Sequence, residues 1–163
     1  MGQHFKAPWG TKLWVMTAGV LAILVVALVT VKGWAALLLV AIVGLALVFA
    51  VRGYSVLDGQ LLIHRLGWAI RFDLADLTSV EFSPGATIGS IRTMGIGGLF
   101  GFVGHFRNEI LGSYRAYATD EENTVILDFS GEKIVVTPDS PVEFVAAVEA
   151  ARLDVAPSPE RPK

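Results

Sequence analysis

Tyr54–Phe82 reads YSVLDGQLLIHRLGWAIRFDLADLTSVEF. Tyr54–Leu57 is a short apolar run closed by Asp58-Gly59, a dipeptide suited to a two-residue hairpin turn in which both central residues need positive φ. Leu61–Leu66 then predicts a return strand ending at Gly67. In Ala69–Leu74, Ile70, Phe72 and Leu74 alternate with Arg71 and Asp73, the period-two pattern of a strand with one wet face. Thr78–Phe82 predicts a fourth strand, with Val80 and Phe82 on one side. Four short strands joined by tight turns point to an antiparallel meander.

The same pattern resumes near the C-terminus. Tyr114–Thr119 predicts a fifth strand, and Asp120–Asn123 a polar turn. Val125, Leu127 and Phe129 line one face of a sixth, and Ser130-Gly131 turns the chain again. A seventh strand carries Ile134 and Val136 and stops at Thr137-Pro138. A helix follows. Ser140 stands at its N-cap, Pro141 at its first position, and Glu143 where a capping box needs it. Phe144, Val145, Val148 and Ala151 form its apolar stripe, and Arg152 suits its C-terminal end. The segment 153–163 holds three prolines and no core-forming pattern, which predicts a disordered tail.

Seven antiparallel strands followed by one helix is the order of a pleckstrin-homology-like barrel, and the chain resembles the bacterial PH-domain family over about residues 53–152. The resemblance rests on Asp58, Gly59, Leu61 and Ile63 in the first strand pair, and on Asp76, Leu77, Val80 and Glu81 at the next step. Thr137, Pro138, Pro141 and Phe144 carry it at the start of the last helix. It implies a PH-like fold, paired membrane helices ahead of that fold, and a glycine-rich stretch between the fourth and fifth strands. It implies no particular activity.

The residues ahead of the meander are of another kind. Leu13–Val31 is nineteen residues without a charge and Trp34–Val51 eighteen more. At 1.5 Å per residue each would nearly cross a hydrocarbon core of about 30 Å. Lys32-Gly33 between them predicts a helical hairpin, with Trp9, Trp14 and Trp34 as interfacial anchors. The first run is too long for the core of a signal peptide, and no small-x-small cleavage pattern follows it. Lys6 and Lys12 before the hairpin, and Arg52, Arg65 and Arg71 after it, outnumber the lone Lys32 in the turn. Both termini are therefore expected in the cytoplasm, and the protein is expected to be integral to the cytoplasmic membrane. The domain plan is a segment 1–12, a hairpin 13–51, a PH-like domain 53–152 with an insertion at 83–112, and the tail.

Composition agrees. The chain is 53% hydrophobic with a mean hydropathy of +0.59. All fifteen acidic residues follow Leu57, and the part from Arg52 onward sets ten Lys and Arg against them. Nucleic acid is not an expected partner. The absence of cysteine removes disulfides and thiolate metal sites.

The insertion holds the candidate binding residues: Arg92, Gly95, Gly97, Gly98, Phe100, Phe102, Phe106 and Arg107. As a phosphate cradle it would have to leave a strand and open a helix, and it lacks Gly-Lys-Ser/Thr. As a membrane segment, its phenylalanines would enter the acyl boundary while the arginines meet lipid phosphates. Capping the open end of the barrel and packing there is the reading set ahead of lipid docking, and a self-association surface is a variant of it. His4, His64 and His105 have no metal-ligand spacing, and no cofactor or metal is expected. Asp120, Glu121 and Glu122 read as a solvated turn, and Arg65, Arg71 and Arg115 as a scattered charged surface. The expectation is a non-enzymatic module that displays a barrel to a protein or lipid. The alternatives are a subunit of a homo- or hetero-oligomeric membrane complex and, third, an enzyme holding a phosphate ligand in the glycine-rich loop.

Overall fold

Asp58 and Gly59 adopt φ of 50° and 71°, the doubly positive turn their sequence predicts. The turn joins the first two strands of the meander in a computed structural model that describes residues 2–31, 33–97 and 99–155. The elements are β1 (Gln3–Lys6), α1 (Thr11–Thr30), α2 (Trp34–Val48), β2 (Gly53–Leu57), β3 (Gln60–His64), β4 (Ala69–Asp73), a 3-10 turn (Leu74–Asp76) and β5 (Leu77–Phe82). They continue with β6 (Ile91–Gly97), β7 (Phe102–Asn108), β8 (Gly112–Ala118), β9 (Val125–Phe129), β10 (Glu132–Val136) and α3 (Pro141–Val155).

The strands form two open sheets, β1-β2-β3-β4 and β5-β9-β10-β8-β7-β6, and not a closed seven-stranded barrel. Three strands were not expected. β1 pairs antiparallel with β2, Lys6 opposite Gly53 and Phe5 opposite Tyr54. β6 and β7 are built from the glycine-rich insertion itself. A further correction is that β8 and β10 run parallel, Ile134 opposite Arg115. β10 turns back from β9 and pairs on its other edge with β8, which in turn pairs with β7.

The sheets enclose one main core, closed by α3. Tyr54, Leu61, Ile63, Val125, Leu127, Val136, Phe144 and Val148 are wholly removed from solvent there. The Tyr54 hydroxyl donates to the Tyr117 carbonyl (2.6 Å) and accepts from the Thr137 N–H (3.2 Å), tying the sheets together. Ile134, Val135 and Val136 are all buried, because the sheet is covered on both faces here. The second cover is the turn-rich segment 84–89, held by Asn108 Nδ2 on the Ala86 carbonyl (2.7 Å) over a smaller cluster of Phe106, Leu111, Tyr114 and Ala116. α3 starts at Pro141 as expected, but Ser140 and Glu143 make no capping-box bonds among the described residues. Asp139 and Lys6 instead exchange two bonds, of 3.0 and 3.2 Å. α3 reaches Val155, three residues beyond its expected end, and the rest of the expected tail lies outside the described residues.

α1 is twenty residues long and apolar enough to cross a membrane. α2 has fifteen and stops at Val48, short of the expected Val51. Ala50 and Val51 are buried in the head and hand the chain to β2. Gly33 takes φ of 76° at the reversal, and Lys32 lies outside the described residues.

Candidate functional site

The feet of the two helices meet the head at one junction. Leu13 and Thr17 of α1 and Ala46 and Ala50 at the end of α2 are buried there. The small side chains of α2 leave room for Phe100, which packs against Ala46 and Ala50 with Trp9, Val43 and Leu99 around it. Phe100 donates its backbone N–H to Thr17 Oγ1 (3.3 Å) and takes φ of 60°, uncommon for a bulky residue and sustained here by this packing. The tip of the β6–β7 hairpin is thus wedged between the helices.

The glycines explain how the tip gets there. Gly95 and Gly104 face each other across β6 and β7, with φ of 111° and 137°. A Cβ on Gly95 would stand 2.3 Å from the Val103 carbonyl oxygen, and one on Gly104 2.2 Å from that of Met94. The two strands approach in a way that only glycine allows. The strand-to-helix geometry that a phosphate cradle needs does not occur among the described residues of this stretch, where β6 leads through a turn into β7.

Beside the junction lies a cavity of about 210 Å³ between segment 84–89 and the β7–β8 surface. Phe102, Phe106 and Ala116 give it an apolar floor, and Ser90 and Tyr114 line its polar side. Lys12 sits at its mouth, 2.6 Å from Glu121 and 5.9 Å from the Phe102 ring centroid. Burial raises the Tyr114 phenol above its usual range, its hydrogen bond to Ser90 lowers it, and the charge of Glu121 raises it further. The Asp120–Glu122 turn lies against the start of α1, where Gly10 N–H binds the Thr119 carbonyl (3.0 Å) and acidic charge suits the helix dipole.

The seven described residues of the eight expected at the site do not form one surface. Phe100 enters the helix junction, Phe102 lines the cavity, and Phe106 stacks on Tyr114 at 6.0 Å in the second cluster. Arg92 and Arg107 are exposed at the strand ends away from the tip, and Gly97 lies beside the Arg92 side chain. Gly98 lies outside the described residues. Arg65, Arg71 and Arg115, expected as a scattered charged surface, are indeed apart, but Arg65 is not on the surface. Arg65 is buried, Arg71 is exposed, and Arg115 pairs with Glu132 at 3.1 Å.

Two groupings went unread in the sequence. His4 of β1 and His64 of β3 flank Ser55 of β2, with Nδ1 of His4 at 2.9 Å and Nε2 of His64 at 2.7 Å from its Oγ. Partial burial lowers the His64 pKa below its usual value, and His4 lowers it further. The pairing was hidden because β1 was not expected. Among the described residues no group of three or more His, Asp or Glu could hold a metal. Arg65, the second grouping, stands among aromatic rings.

Two open sheets, one holding the β2–β4 meander and the other entered at β5, which leaves the expected four-strand meander to pair with β9, are closed by a C-terminal helix and define a pleckstrin-homology-like head. The profile of the bacterial PH domain family matches residues 52–152, more than half of the chain, and the chain belongs to that family. No curated protein and no solved structure matches it.

Proposed function

We propose that the protein is a membrane-tethered binding module, in which the α1–α2 hairpin sits in the cytoplasmic membrane and holds the PH-like head at its inner surface for a lipid or protein partner. The observation that carries this reading is the state of the helices. Large apolar side chains are exposed around both of them, Ile23, Val29, Trp34 and Leu37 to more than 70%. A helix apolar on every side needs a partner other than water. α2, at about 22 Å, is shorter than the hydrocarbon core of about 30 Å. The mismatch would draw its foot, with the buried Ala50 and the Phe100 wedge, into the interface. Lys6, Lys12 and Arg52 at the feet support a cytoplasmic head.

Carbonate washing of vesicles tests the tether: the chain should stay in the pellet, and release into the supernatant would refute the reading. For the binding role, the measurement is titration of the reconstituted protein with liposomes of differing headgroups. The module assigns no reaction to the chain. A nucleotide-dependent rise in melting temperature would point to phosphate-ligand chemistry instead.

One observation favours an assembly role alongside display. β6 is the outer strand of its sheet, and Ile91 and Met94 on it, with Ile88 and Ile110 nearby, are exposed. An unpaired apolar edge invites strand addition. An oligomer in detergent that Ile91→Lys dissolves would support assembly; a monomer at all concentrations would remove it.

A further inference from the structure

Arg65 is a buried residue whose guanidinium meets no anion among the described residues. Its side chain retains 9% exposure. The guanidinium carbon stands 5.4 Å from the centroid of the Phe49 ring, 5.0 Å from that of Trp68 and 5.3 Å from that of Tyr117. Its Nε is buried with no hydrogen-bond partner, and the guanidinium forms no ion pair among the described residues. The rings offset part of the cost of removing this charge from water, but they accept no conventional hydrogen bonds. Desolvation also holds the guanidinium pKa below its ordinary value. A charge whose stem and Nε are buried and unpaired while the end of its fork still reaches solvent is placed to take a counter-ion from outside the chain.

The position of Arg65 says what kind. It opens the β3–β4 turn, closed by its own N–H on the Trp68 carbonyl (2.9 Å) with Gly67 at φ of 87°. The turn abuts the foot of α2, where Phe49 meets Trp68 edge-on at 5.8 Å. Leu66 and Trp68 on the turn are partly exposed apolar side chains, and Leu45 one turn up α2 is exposed too. An aromatic and apolar rim at the end of a membrane helix is the setting of the lipid phosphate layer. A guanidinium offers forked donors that match a phosphate.

We propose that Arg65 is the anchoring cation of a phosphate site for an anionic phospholipid, framed by Phe49, Trp68 and Tyr117 at the foot of α2. The site rests on the tether reading and names the lipid chemistry it would recognise. A carboxylate from a partner protein is the rival counter-ion; the exposed apolar side chains of Leu45, Leu66 and Trp68 beside the turn favour lipid.

The test uses the full chain reconstituted in nanodiscs, with lipid retention followed by native mass spectrometry. Wild-type protein should hold phosphatidylglycerol about tenfold more tightly than phosphatidylcholine, whose own choline cation already offsets the phosphate that the guanidinium would pair. Arg65→Gln should bring the ratio near one, and Arg65→Lys, which keeps the charge and loses the fork, should fall between. Equal retention by wild type and folded Arg65→Gln would overturn the proposal. If Arg65→Gln does not fold, a wild-type ratio near one overturns it alone. A second arm adds inorganic phosphate to the protein in neutral detergent. A rise in melting temperature equal to that from phosphatidylglycerol would overturn the assignment to lipid, and no rise supports it. A chain that resists carbonate yet shows no headgroup preference loses this site and keeps the tether; a chain that carbonate releases loses both.

Discussion

Lys6 and Gly53 face each other across the β1–β2 ladder, although the whole of α1 and α2 lies between them in the chain. The helical hairpin is therefore an insertion between neighbouring strands of the head, and its two feet are clamped by backbone hydrogen bonds. Phe5 secures the clamp from the core, edge-on to Phe144 at 5.2 Å. Phe5→Ala should destabilise the head by about 3 kcal/mol. Urea unfolding in detergent, followed by tryptophan fluorescence, measures the change. A cost near zero would mean that β1 does not hold the feet.

The Gly95–Gly104 pair predicts a sharp intolerance. Alanine at either position adds a Cβ against backbone that cannot give way, at a positive φ. Each substitution should cost about 2–4 kcal/mol, combining strain and overpacking. Alanine at Gly112, where a Cβ would meet nothing within 4 Å, should cost less, through its φ of 71° alone. The melting temperatures of the three variants check the order.

Tyr54 is the polar knot of the core. Burial pushes its phenol up to about 12. Its pKa is raised on folding, so the native state keeps a proton that the unfolded state loses from about pH 10. Stability should fall as pH rises between 10 and 12, and Tyr54→Phe should remove that slope. The same variant leaves the Thr137 N–H without this acceptor and should cost about 1–3 kcal/mol at neutral pH. Denaturation at pH 8 and pH 11 separates the two effects.

The His4–Ser55–His64 chain predicts an acid-sensitive edge. His64 has a depressed pKa, so the unfolded state binds its proton first as pH falls. Its contribution is present above the ordinary histidine value of about 6.5 and is lost below it as pH falls through the folded value. Two protonated imidazoles on one hydroxyl would also repel, with ring centroids 5.5 Å apart. Amide exchange in β1 should quicken between pH 7 and pH 5 while β9 stays protected. Uniform exchange across both strands would exclude a local effect.

The meander and α3 were readable in the sequence because their signals are local: a doubly positive turn at Asp58-Gly59, period-two alternation through Phe72, and Ser140-Pro141 before an apolar stripe. β1 was not, since its partner lies beyond the helices and only Phe5 of its four residues is buried. β6 and β7 were hidden for a different reason. Glycine ordinarily breaks a strand, but two glycines set opposite each other permit a close crossing that neither would reveal alone. The parallel β8–β10 contact also depends on long-range order. For the site, residue type pointed to Phe100 and Phe102 but could not say that they part company. Arg65 looked like surface because its three rings come from α2's end, the β3–β4 turn and β8.

A head tethered by a hairpin that crosses the membrane and returns puts the far end of α1 and the exposed side of β5 on opposite sides of the bilayer. The chain has no cysteine, so single cysteines can be placed freely. Thr30→Cys, at the far end of α1, and Ser79→Cys, on the exposed side of β5, can be labelled with a membrane-impermeant maleimide in carbonate-washed vesicles of known orientation. Ser79→Cys should react from the cytoplasmic side and Thr30→Cys from the other. Reaction of both from the same side, or a chain washed free of the vesicles, would contradict the tether.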